Sequence, residues 1–84
     1  MNRGETLGEQ VTYEGLVVAI LNEEDGGHRI EILDGRERVS SICAGHTRAG
    51  VRERALELAY AYLLKRDGAA PKPAATLLWR PICV

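Results

Sequence analysis

The residues best equipped for chemistry fall within eight positions, CAGHTRAG, running from Cys43 to Gly50. A thiol, an imidazole and a guanidinium stand here among small, turn-forming residues. Three kinds of chemistry use such a set. Cys43 and His46, with two residues between them, have a spacing suited to a pair of zinc ligands. His28 and Cys83 are the residues that would complete a Cys2His2 site. A thiol at the mouth of a helix can act as a nucleophile, because backbone N–H groups and the helix dipole lower its pKa. Gly45, Gly50 and a helix start could also hold an anion without reacting with it, with Arg48 and Arg52 close by.

Spacing narrows these options. Cys-dependent phosphatases place five residues between cysteine and arginine, whereas four separate Cys43 from Arg48, which is too few to close the same cradle. No acid is placed as a proton donor, and a Cys43–His46 protease pair has neither an orienting residue nor an oxyanion hole marked for it. The glycine spacing matches neither a dinucleotide nor a nucleotide fingerprint. The reading that accounts for every small residue is structural. Gly45 turns the chain out of a strand, Thr47 or Gly50 caps a helix, and Glu53 reaches back toward Gly50. Cysteine itself is commonly a small buried hydrophobe. The acidic run Glu23, Glu24, Asp25 lacks the spaced oxygen ligands of a calcium loop and reads as a solvated tip.

The elements around this corner follow from periodicity. VTYEGLVVAIL (Val11–Leu21) is rich in β-branched residues and reads as one strand, apolar on both faces. Leu16, Val18 and Ile20 point one way; Tyr13, Val17 and Leu21 point the other. NEEDGG is turn chemistry, and HRIEIL alternates as a second strand. Asp34–Gly35 is a strong hairpin signal. As a two-residue turn it sets Ile30 against Val39 and Glu31 against Arg38 on the returning strand Arg36–Ala44. Val51–Arg66 carries apolar residues at helical spacing, with Lys65 and Arg66 suiting the last turn and Gly68 ending it. Residues 67–75 are a linker stiffened by Pro71 and Pro73, and Thr76–Val84 reads as a last strand, held to an edge by Pro81.

The expected fold is therefore α+β, in the order β-β-β-α-β: an antiparallel meander with one helix packed on one sheet face. Residues 1–10 are expected as a flexible tail and 11–84 as a single domain. One helix covers one face only, yet the first strand is apolar on both, so the second face meets either the tail or a partner.

Bulk properties exclude some functions. The chain has 84 residues and a net charge of −1, which argues against a general nucleic-acid binder. Nine of its eleven basic residues are arginine, so a local patch remains open. Residues 1–10 are polar and carry no signal-peptide pattern, and LVVAIL is far too short to span a membrane. A cytoplasmic protein with both thiols reduced is the expectation.

In layout the chain resembles three groups. A β-β-β-α core with a basic helix start looks like a double-stranded-RNA-binding domain lacking its first helix, although HTRAGVRERA has no lysine. EDGGHRIEI and HTRAGVRERALELA resemble parts of RNase-H-type antitoxins, without the proline motif of that family. SSICAGHTRAGVRERALELAYAYLL is similar to small anti-CRISPR proteins of phages and mobile elements in its meander, glycine corner and Ala-rich helix. The last resemblance implies an inhibitor that occupies the surface of a large partner and uses no cofactor.

The expectation is a non-enzymatic protein without metal or cofactor, acting through a protein–protein interface, with inhibition of a bacterial defence complex as one form of that action. Tyr13, Val17, Arg48, Arg52 and Trp79 are its candidate contact residues. Self-association as a homodimer is open. The alternative is a nucleic-acid or phosphate-ligand module using the arginine-edged helix start.

Overall fold

The structure is a computed structural model that describes residues 6–45, 47–72 and 77–83. Its elements run β1 (Thr6–Tyr13), β2 (Leu16–Asn22), β3 (His28–Asp34), β4 (Glu37–Ala44), α1 (Arg48–Asp67) and β5 (Arg80–Cys83). The five strands make one antiparallel sheet in the order β4-β3-β2-β1-β5, and α1 packs on one face, over β2 and β3. The α+β class, the antiparallel meander and the single covering helix are as expected. The strand count is one higher, because Val11–Leu21 is two strands, and Thr6–Gln10, expected as tail, belong to the first of them.

The cause is a tight reversal at Glu14–Gly15. Both residues have positive φ, 48° and 85°, the signature of a two-residue type I′ hairpin. Such a turn matches the twist of its flanking strands, and glycine enters it without strain. A glutamate rarely takes a positive φ, so the apolar run through Glu14 reads as continuous. Folding there pairs Tyr13 with Leu16 and Val11 with Val18.

The next hairpin turns one residue later than expected. Its loop is Gly35–Arg36, closed by Asp34↔Glu37, with Gly35 at a φ of 65°. A glycine in the first loop position suits a type II′ turn. Val39 is then bulged out between the pairs Leu33↔Arg38 and Ile32↔Ser40. Ile30 therefore faces Ile42 rather than Val39, and Glu31 faces Ser41 rather than Arg38. Arg38 still reaches across the bulge to Glu31, at 3.2 Å.

Alternation along each strand sends Val11, Tyr13, Leu16, Val18, Ile20, Ile30 and Ile32 to the face beneath the helix, where all are buried. Each fully buried side chain of this size contributes about 1.5–3 kcal/mol through burial. The helix answers with Val51, Ala55, Ala59 and Leu63, spaced four apart. Ala55 and Ala59 are completely buried, and their small size lets the helix backbone lie close to the sheet. The helix begins at Arg48, a turn before the expected Val51, and ends as expected at Gly68, whose N–H donates to the Leu64 carbonyl (2.9 Å).

The last strand is Arg80–Cys83, at the sheet edge beside β1, where a proline is tolerated. The linker residues 73–75 and Thr76 lie outside the described residues. Gly8 matters for a reason other than conformation. A Cβ at that position would sit 2.0 Å from the Ile20 carbonyl oxygen, so β1 approaches β2 more closely there than any other residue permits. Among the described residues, no helix is long and apolar enough to cross a membrane.

Two substitutions test this packing. Gly8→Ala and Ala59→Leu should each cost about 1–3 kcal/mol by overpacking, measured by urea unfolding. Leu7→Ala, in the same strand but exposed, should shift stability by no more than about 0.5 kcal/mol.

Candidate functional site

The CAGHTRAG corner joins the end of β4 to α1. Arg29 pairs with Cys43 and His28 with Ala44, so His28 and Cys43 point to opposite faces of the sheet. His28 is buried on the helix side, and its Nδ1 lies 2.8 Å from the Gly45 carbonyl oxygen. A carbonyl can only accept, so Nδ1 carries the proton and donates it. Cys43 is exposed on the other face, where Arg29 Nη2 donates to its sulfur at 3.5 Å. Cys83 is exposed on β5, at the opposite edge from β4. Four strand spacings separate those edges, roughly 19 Å. The Cys2His2 set considered from sequence does not assemble: His28, Cys43 and Cys83 lie apart, and His46 lies outside the described residues.

Thr47 occupies the N-cap position by backbone, with its carbonyl accepting from Val51 N–H (3.0 Å), but its side chain makes no cap bond. Gly50 is inside the helix and caps nothing.

Arg52 is fastened inward. Its Nε and Nη2 donate to the two oxygens of Glu9 at 2.5 and 2.7 Å, a bidentate pair across β1 and α1. Its guanidinium also stacks over Trp79, 5.3 Å from the ring centroid. Trp79 is half-buried against the core, so one arginine links β1, the helix and the segment entering β5. Pairing with Glu9 holds Arg52 still more firmly in its charged form. Arg52 and Trp79 thus hold each other in place while both stay partly exposed.

Tyr13 is also not an exposed contact. The turn at Glu14–Gly15 places it on β1, on the helix face, where it is buried and its hydroxyl donates to the Lys72 carbonyl (2.7 Å). That bond ties the segment after the helix to the sheet. The side chain of Arg48 lies outside what the structure describes. Of the four candidates whose side chains are described, Val17 alone sits on the face that α1 leaves open.

That face has a definite composition. Cross-strand partners share a face, so Leu33, Val17 and Thr12 form one row across β3, β2 and β1. Glu31, Ala19, Gln10 and Arg80 form the next, and Arg29, Leu21, Gly8 and Ile82 the third. Leu78 extends the first row beyond Thr12 and is 71% exposed. The result is an apolar centre of Val17, Ala19, Leu21 and Leu33 with Leu78 at its side. Arg29 and Arg38 frame it, tied at 2.9 and 3.2 Å to Glu23 and Glu31. Sequence reasoning found Val17 and Leu21 by alternation. It missed Leu33, placed by its pairing with Val17, and Leu78, which reaches this face beside β1.

At the other end of α1, Tyr62 donates to Asp34 Oδ2 (2.6 Å) and Arg66 donates to the same oxygen (3.1 Å). These donors, Tyr62 first, hold the Asp34 carboxyl below its ordinary range, and Arg66 does the same for Asp67. The same bond raises the Tyr62 hydroxyl, since ionising it would set two negative charges together.

Two outcomes follow. Arg52→Ala should destabilise the fold by about 1–3 kcal/mol, the scale of hydrogen bonds to a charged group. Arg54→Ala, which breaks an exposed i,i+3 pair with Glu57, should cost no more than about 0.5 kcal/mol in the same urea titration. Depressed carboxylates give stability that is present above the unfolded-state value of about 3.9 and is lost as pH falls through the lower folded value. The melting temperature should therefore drop as pH is lowered below about 4, and Asp34→Asn should lessen that drop.

Comparison of the chain with protein-family models, with curated proteins and with solved structures finds no match.

Proposed function

We propose that this chain is a binding protein that presents the helix-free face of its sheet to a protein partner. The observation that carries the reading is the apolar centre of that face, the half-buried Val17, Leu21 and Leu33 around a buried Ala19, left by the single helix and extended by the exposed Leu78. A flat apolar centre with a charged rim is the usual anatomy of a protein interface. The proposal is non-enzymatic, in keeping with the dispersal of His28, Cys43 and Cys83 over both faces and both edges of the sheet. An inhibitor that occupies a surface of a large bacterial defence complex is the form of binder that the likeness to small anti-CRISPR proteins suggests.

Capture from lysate of the native host, read by quantitative mass spectrometry, tests the proposal. Val17→Lys and Leu78→Glu should each lose the captured partner, while Arg54→Ala should keep it. Equal recovery by all three would remove the open face from consideration.

The alternative, nucleic-acid or phosphate binding at the helix start, loses support because Arg52 is engaged by Glu9 and Trp79. Gel retardation of RNA and DNA at low salt should show no complex. A complex that weakens steeply with added salt would restore that alternative.

A further inference from the structure

The two edges of the sheet are built differently. β5 has four residues and includes Pro81, which has no N–H to offer another strand. β4 has eight and, among the described residues, pairs only with β3. Its first part, Glu37–Val39, carries two charges and a bulge, the devices that keep edges from pairing. Its second part, Ser40–Ala44, has none of these. It is uncharged, free of proline and in unbroken register with β3 from Ser40↔Ile32 to Ala44↔His28.

The direction of its backbone groups can be worked out. Asp34↔Glu37 closes a two-residue loop and is a hydrogen-bonded pair. Alternation along β3 then turns the backbone groups of Ile32, Ile30 and His28 toward β4. Ile42 satisfies its N–H and C=O on Ile30, while those of Ser41 and Cys43 point outward.

We infer that this edge joins a second copy of the chain, β4 against β4, antiparallel about a two-fold axis through Ile42. Two five-stranded sheets become one continuous sheet. Several features of the edge suit its own copy. In this register the outward groups of Ser41 meet those of the copy's Cys43, and the reverse, as hydrogen-bonded pairs. Ile42 meets Ile42 in the non-hydrogen-bonded position, where side chains approach most closely. Ile42 is only partly buried by its own core and lines a cleft between β4 and α1, so the copy covers apolar surface there. On the other face the rows of the joined sheet run Arg29, Cys43, Ser41, Glu31. Each row begins on a base of one copy and ends on an acid of the other. No like charges face each other, and Glu37 and Arg38 fall outside the overlap.

The same geometry brings two Cys43 thiols to one exposed face, diagonal across the axis, with Cα atoms about 7–8 Å apart. The full chain carrying Cys83→Ser keeps Cys43 as its one thiol. A short bismaleimide should convert it to a covalent dimer, and sedimentation equilibrium should show mass rising with concentration from 9.2 kDa toward twice that value. Ser41→Pro removes an outward N–H and leaves the pairing to β3 intact. Cys43→Lys adds charge at an exposed position beside Arg29. Both should sediment as monomers with circular dichroism like the parent, and if Ser41→Pro unfolds, Cys43→Lys decides. A parent that stays monomeric at millimolar concentration overturns the inference. So does a dimer that persists in the variants or that Cys43 fails to cross-link.

Discussion

One helix has to close one side of a five-stranded sheet, and it does so through its two smallest buried residues. Ala55 and Ala59 lie against β2 and β3 with no exposure, bracketed by Val51 and Leu63. Most large side chains of this layer, Leu16, Ile20, Ile30 and Ile32, come from the sheet, and Leu63 is the helix's own. Packing of that kind seats the helix over β2 and β3. The other face is left to its own strands, whose residues Val17, Leu21 and Leu33 reach only partial burial. The open face is thus a direct consequence of having one helix.

Several polar groups hold this arrangement at its margins. Arg52 joins Glu9 and Trp79 on one flank of the helix. Tyr62 and Arg66 converge on Asp34 at the far end. His28 holds the Gly45 carbonyl under the corner before the helix. The Glu9 carboxylate is largely removed from water, so its hydrogen bonds contribute more than a surface ion pair does. Groups so engaged fasten elements that lie far apart in the chain.

The edges of the sheet show a similar division. Pro81 and a short span close off β5, whereas β4 is guarded over its first residues and plain over Ser40–Ala44. An edge that is blunted in part and regular in the rest has room for pairing in one register.

The α+β class, a hairpin beside Gly35 though not its register, the helix with its stop at Gly68 and the edge position of Pro81 were legible in the sequence, because each rests on local preferences. Periodicity marks a helix, glycine marks its end, and proline cannot serve two neighbours. The alternation that put Leu16, Val18 and Ile20 on one face and Val17 and Leu21 on the other was legible too. What only the tertiary structure decided was the count of strands and the role of individual side chains. The turn at Glu14–Gly15 breaks an apolar run whose local pattern argues for continuity, and that break moves Tyr13 from the open face to the core. The engagement of Arg52 depends on Glu9, 43 residues away. A contact at that separation leaves no mark in local spacing, since burial and register arise only when distant strands meet.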